Sequence, residues 1–222
     1  MSKTSYEKIN GLALRYWSSE TDTKKSAEKP TILFFHGFSF SLDDWARIGT
    51  LDLIAKEGYP VIALDLPAGK GSKSDKMKTQ IKEDFVCLVD KFLEKARVPN
   101  VGSDTNRGKL IIVGPSMGGG FALSYAIARP QRIAGLVLIA PATEPFSDER
   151  LMDGLEGVEA PTMLVWGEND DVFPVETHAR VLKNSLGHSK LLVIKGAGHA
   201  AYLDKPDEFN DLLIDFLEEL SS

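Results

Sequence analysis

The sequence predicts an α/β fold, a doubly wound and mostly parallel sheet that opens with an antiparallel hairpin and carries no substantial cap domain. Three observations predict it. Short, nearly continuous apolar runs recur at Thr31–Phe35, Val61–Leu66, Leu110–Val113, Ile133–Ile139, Thr162–Trp166 and Leu191–Ile194. Segments of helical length, with apolar residues three and four apart, alternate with these runs. Asn10-Gly11 stands between two apolar-rich stretches near the start. Short runs rich in Val, Ile, Leu and Phe and bounded by Gly or Pro suit strands buried on both faces. Their alternation with helices implies parallel strands joined by right-handed crossovers.

Taken in chain order, Tyr6–Ile9 and Leu12–Trp17 form the hairpin, because Asn and Gly tolerate the positive φ that both turn positions need. Glu20 to Lys29 is polar and charged without apolar anchors, and reads as an exposed loop. Helices are expected over Leu42–Glu57, Thr79–Arg97, Met117–Arg129, Val175–Leu186 and Asp207–Leu220. Phe85, Leu88, Val89, Phe92 and Leu93 mark the buried stripe of the second. Residues 1–222 read as a single domain.

Composition narrows the chemistry. With 26 Lys and Arg against 32 Asp and Glu, the net charge of −6 gives no basic field for a phosphate backbone, so nucleic acid is not an expected partner. A lone cysteine, Cys87, supplies neither an internal disulfide nor a Cys-rich metal site, and no metal or cofactor is expected. No apolar run approaches the roughly 20 residues of a membrane span, so no membrane partner is expected either. Nothing in the N-terminal residues reads as a signal sequence, and the expected compartment is the cytoplasm. Any histidine chemistry must use His36, His178, His188 or His199.

In a doubly wound sheet, ligands bind at the carboxyl ends of the strands, so the residues following each strand carry the argument. Leu110–Val113 runs into Gly114-Pro115-Ser116-Met117-Gly118 and then a helix. G-x-S-x-G between a strand and a helix is the context of a nucleophile elbow, where a sharp turn exposes the serine Oγ. Gly114 and Gly118 let the crossing backbones approach, and the Met117 N–H can receive an oxyanion. Thr31–Phe35 ends in His36-Gly37-Phe38, which offers the Phe38 N–H as a second oxyanion donor, with His36 read as a loop strut. After Thr162–Trp166 comes Gly167-Glu168-Asn169-Asp170-Asp171. An acid there can hold an imidazole, and spacing from Gly167 and Pro174 favours Asp170 over Asp171. After Leu191–Ile194, His199 lies between small residues and is the candidate general base. His178 and His188 read as surface residues. Ser116, Asp170, His199 is then a triad in the chain order this architecture expects. Phe40, Phe146 and Phe173 are candidate substrate contacts.

These pieces resemble the α/β-hydrolase superfamily over nearly the whole chain: His36-Gly37, Asp65-Leu66-Pro67, Gly114-Pro115-Ser116-Met117-Gly118, Gly167-Glu168-Asn169-Asp170 and Gly196-Ala197-Gly198-His199. His36-Gly37-Phe38-Ser39-Phe40-Ser41 through Trp45, Gly49-Thr50-Leu51, and Lys195 to His199 with Tyr202-Leu203-Asp204-Lys205-Pro206 resemble the small abhydrolase domain-containing protein 14 family. That resemblance implies a Ser-His-Asp triad, hydrolysis of short acyl esters and, for some members, lysine deacetylation. Two departures stand out. Pro115 replaces a frequent His before the serine, and Ala68-Gly69-Lys70-Gly71-Ser72 lengthens its loop by one residue. About 20 residues separate Ala140-Pro141 from Thr162, room for at most a short helix around Asp148–Leu155 and not for a helical cap.

The expected function is therefore a serine esterase acting on small acyl esters through an acyl-enzyme. The alternatives are perhydrolase, acyltransferase or deacetylase chemistry on the same triad, or a weakly active binding protein with this fold.

Overall fold

Asn10 and Gly11, at φ 50° and 86°, make the two-residue turn that joins β1 (Lys3–Ile9) to β2 (Leu12–Ser18). The pair is antiparallel, with Ile9 opposite Leu12 and Lys3 opposite Ser18. The computed structural model describes residues 3–19, 29–76, 82–96, 109–143 and 154–221. The remaining strands are β3 (Thr31–Phe34), β4 (Val61–Leu64), β5 (Leu110–Pro115), β6 (Ile133–Ile139), β7 (Thr162–Gly167) and β8 (Ser189–Ile194). Their order is β1-β2-β4-β3-β5-β6-β7-β8. The chain divides into two compact units, residues 1–112 and 113–222.

In the first unit, β2 pairs antiparallel with β4, and β4 pairs parallel with β3. Every residue of β3 and β4 is buried. Successive side chains of a strand point to opposite faces, so continuous burial means that both faces are covered. The expected helix over Leu42–Glu57 is two helices, α1 (Leu42–Arg47) and α2 (Thr50–Lys56), because Gly49 turns left-handed at φ 78°. Ser41 caps α1 by accepting the Asp43 N–H, while Asp44 accepts the Ser41 N–H, a reciprocal capping box. Trp45 is buried and donates Nε1–H to the Phe35 carbonyl at 2.7 Å. Helix α3 (Lys82–Lys95) buries Phe85, Leu88, Val89, Phe92 and Leu93, the stripe read from the sequence. The polar stretch from Glu20 lies outside the described residues up to Lys29, whose ammonium sits 4.0 Å from the centre of the Tyr59 ring.

A partly buried ionic cluster ties β2 to the loop after β4. Arg15 contacts Asp65 at 3.1 Å and Asp43 at 2.5 Å, and the Asp65 side chain has no exposure. Asp65 also accepts the N–H groups of Leu42 (2.7 Å) and Lys73 (3.2 Å). Lys73 pairs with Asp43 at 2.6 Å. Hydrogen bonds from Arg15 and then Lys73 pull the Asp43 carboxyl down to about 2. His36 lies beside the cluster, fully buried. Its Nε2 accepts the Leu66 N–H at 2.7 Å and its Nδ1 faces the Gly37 carbonyl at 2.8 Å, which fixes the neutral Nδ1–H tautomer. Burial holds His36 below its ordinary pKa, and the strut role read from the sequence matches this geometry.

In the second unit, β6, β7 and β8 are parallel, with Leu136 opposite Thr162 and Thr162 opposite Ser189. Helix α4 (Met117–Ala128) follows β5 directly and is buried from Met117 to Ala126, which explains its all-round apolar sequence. The expected helix at Val175–Leu186 begins as a π-helical turn (Val175–Ala179) and becomes α5 (Arg180–Ser185). Strand β8 differs from the expectation of two buried faces: it ends the strand order, most of it is half-buried, and Val193 is 43% exposed. A four-residue helix α6 (Ala201–Asp204) precedes α7 (Pro206–Glu219), which buries Phe209, Leu213, Phe216 and Leu217. The expected short helix around Asp148 lies mostly outside the described residues. No helix among the described residues is long and apolar enough to cross a membrane.

Two outcomes test the ionic cluster. Arg15→Gln leaves the buried Asp65 carboxylate without its cation, so urea unfolding is expected to show a loss of about 3 kcal/mol. Asp43 is less buried, and solvent screening holds the expected cost of Asp43→Asn to about 1 kcal/mol at neutral pH. A carboxyl held below its unfolded value of 3.8 contributes stability above that value and loses it as pH falls toward about 2. The gap between wild type and Asp43→Asn is therefore expected to narrow below about pH 4, measured by the same unfolding curves.

Candidate active site

Ser116 sits between β5 and α4 at φ 48° and ψ −118°, a conformation that costs any residue with a Cβ. The backbone on both sides is held. The Ser116 N–H donates to the Ile139 carbonyl at 2.8 Å, and the Ser116 carbonyl accepts from Gly120 N (3.0 Å) and Ala142 N (2.8 Å). With these bonds made, the strain is tolerated and the side chain makes no helix-capping hydrogen bond. Gly114 is the glycine the turn requires, since a Cβ there would lie 2.6 Å from the Gly118 carbonyl oxygen. A second requirement went unread in the sequence: a Cβ on Gly119 would lie 2.6 Å from the Pro141 Cβ. Ala140, at φ 39° and fully buried, is strained as well. Met117 N–H opens α4 and has no intrahelical acceptor.

Asp170 and His199 meet at the ends of β7 and β8. Asp170 Oδ2 lies 2.9 Å from His199 Nδ1, and the Asp170 side chain has no exposure. Its other oxygen accepts the N–H groups of Val172 (3.0 Å) and Phe173 (2.9 Å). Three bonds on one carboxylate leave it a single orientation. Asp171 is exposed, so of the two acids the sequence offered, the structure brings Asp170 to the histidine. The His199 loop is tethered along its length. Gly196 N donates to Glu168 Oε2 (2.9 Å), Asn169 N to the Ala197 carbonyl (2.8 Å), and Gly198 N to Asp204 Oδ2 (2.8 Å). Gly167 permits this approach, because a Cβ there would lie 2.5 Å from the Ala197 carbonyl oxygen and closer still to that of Gly198. Glu168 and Asp204 were missed in the sequence because a loop acid ordinarily looks solvated and their acceptor role appears only when the loops are folded.

The aromatic candidates separate. Phe173 packs edge-to-face with His199 at 5.1 Å between ring centres and also touches His178 at 5.2 Å. Phe40 is half-buried in the first unit, its N–H donating to the Gly37 carbonyl at 3.1 Å. Phe146 lies outside the described residues. The Phe38 carbonyl accepts from Lys70 N (2.6 Å) and Gly71 N (3.2 Å), so the loop after β4 fixes this peptide, while the ring is 50% exposed. A Cβ on Gly71 would lie 2.5 Å from the Phe40 carbonyl oxygen, so the lengthened loop closes on Ser39 and Phe40. His188 is exposed and His178 half-buried. Among the described residues no group of three or more His, Cys, Asp or Glu could hold a metal ion.

The model of the alpha/beta hydrolase fold matches residues 30–155 and 146–206. Rat (Rattus norvegicus) ABHD14B, named as a protein-lysine deacylase, is 33% identical over 195 residues, 86% of this chain and 84% of that protein. The chain is an α/β-hydrolase of the ABHD14 family. ABHD14A of Danio rerio is 32% identical over 85% of this chain, which spans 64% of that longer protein. Among solved structures, a CIB-like hydrolase from Thermoplasma acidophilum superposes with a TM-score of 0.84 at 25% identity, covering 99% of both chains. The fold and the hydrolase class read from the strand ends are those of this family.

Gly167→Ala tests how the two loops are held. Its Cβ would drive Asp170 away from His199, so loss of the downfield Nδ1 proton resonance of His199 is expected, with about 3 kcal/mol of stability lost. Gly187 has nothing within 4 Å of the added Cβ, and Gly187→Ala is expected to leave both intact.

Proposed function

We propose that the chain is a serine hydrolase of carboxylesterase type, cleaving small acyl esters through Ser116, His199 and Asp170. The observation that carries this reading is the His199–Asp170 hydrogen bond at 2.9 Å, in the unit that also presents a serine at φ 48°. Ser116 Oγ attacks the ester carbonyl while His199 Nε2 takes its proton. Asp170 holds the Nδ1–H, keeps the imidazole in the required tautomer and stabilises the imidazolium. The Met117 N–H receives the oxyanion, a donor of this kind being worth roughly 3 kcal/mol in the transition state. Collapse breaks the C–O bond of the ester, and the leaving alkoxide takes the proton back from His199. Water, giving its proton to His199, then attacks the acyl-serine; the C–Oγ bond breaks, the carboxylic acid leaves, and His199 returns the proton to Ser116 Oγ.

Acyl-lysine is the second reading, supported by the name of the ABHD14B relative. The steps are the same, except that the leaving amine must be protonated by His199 as the C–N bond breaks. The small connection after β6 favours access for either substrate, since about 20 residues cannot build a helical lid.

Ser116→Ala is expected to abolish labelling by a fluorophosphonate probe, and labelling that persists in the variant refutes the nucleophile. Asp170→Asn is expected to lower kcat roughly 10⁴-fold, and Asp171→Asn to change it little; the reverse ranking moves the acid to Asp171. Turnover of p-nitrophenyl esters of increasing acyl length, run beside an acetyl-lysine peptide, separates the two substrate readings.

A further inference from the structure

The loop that carries His199 has no bulk with which to hold an imidazole. Its residues Gly196, Ala197, Gly198 and Ala200 are all small. The bond to Asp170 restrains one nitrogen only, and the side chain remains partly exposed, at 22%. The missing wall comes from the loop that delivers Asp170. Phe173 stands edge-to-face with His199 at 5.1 Å and 75°, within the range in which aromatic rings attract. Its peptide is clamped on both sides, N–H to Asp170 Oδ1 at 2.9 Å and carbonyl to the buried Trp166 Nε1–H at 2.7 Å. The π-helical turn Val175–Ala179 brings His178 to the same ring at 5.2 Å, with the His178 N–H tied to the Pro174 carbonyl at 3.0 Å.

We propose that Phe173 is a positioning residue for His199: its ring holds the imidazole in the rotamer that Asp170 sets and steadies the imidazolium formed in turnover. This rests on the triad reading above. At 5.1 Å the ring lies within the roughly 6 Å over which an aromatic face attracts a cation, the state His199 reaches when it carries the Ser116 proton. Among the described residues, the charged and titratable groups around His199 are Asp170 on the β7 loop, Glu168 and Asp204 tethering its own loop, and His178 beyond Phe173.

The test compares Phe173→Leu, Phe173→Tyr and His178→Gln in the full chain. In Phe173→Leu, the ring-current shift of the His199 imidazole is expected to vanish and its NMR titration midpoint to move to lower pH. Turnover of p-nitrophenyl acetate is expected to lose about three- to tenfold in kcat, with KM little changed. Phe173→Tyr is expected to restore all three. An unchanged His199 titration in folded Phe173→Leu overturns the proposal. So does His178→Gln reproducing the whole effect, since the agent would then be the charge of His178. Because the titration is read in resting protein, it stands or falls independently of Ser116, whose probe labelling tests the hydrolase reading by itself.

Discussion

Asp170 reaches His199 because the backbone at the end of β7 runs against the backbone at the end of β8, closer than any side chain on Gly167 would permit. Everything at the Asp170–His199 pair follows from that approach. Asn169 can donate to Ala197, Glu168 can accept from Gly196, and the Asp170 carboxylate arrives with one oxygen already satisfied by Val172 and Phe173. A buried carboxylate is costly unless each lone pair finds a donor, so the same bonds that orient Asp170 also make its burial affordable.

The serine is held by different means. Positive φ at Ser116 and at Ala140 stores backbone strain at two points of one small region, where Ile139 and Ala142 bond the serine peptide from outside its own turn. Such strain persists only where the surroundings over-determine the conformation. The end of β6, with Pro141 against Gly119, supplies that constraint.

In the first unit, the Arg15, Asp43, Asp65 and Lys73 cluster does comparable work on a loop. Asp65 holds α1 through the Leu42 N–H and the loop after β4 through the Lys73 N–H, and His36 ties Leu66 to the Gly37 turn. That loop in turn grips the Phe38 carbonyl through Lys70 and Gly71. An ionic cluster with little net stabilising value still fixes geometry, because each member has only one set of partners that leaves no charge uncompensated.

The sequence by itself determined the fold class and most strand positions, since continuous apolar runs and helical spacing are local patterns. It also determined the strand-to-helix turn at Ser116, whose glycines and flanking strand are contiguous, and singled out His199, which bonds Asp170. It misread one helix as continuous through Gly49 and took the Val175 turn as α-helical, because neither a left-handed glycine nor an extra residue per turn disturbs apolar spacing. Tertiary structure alone brought the favoured Asp170 against His199, found Glu168, Asp204 and Gly119, and placed Phe173 on the imidazole. Each depends on a partner brought close only when separate strand ends converge. Distance along the chain carries no trace of such contacts, whereas burial periodicity is written into every turn of helix and every pair of strand residues.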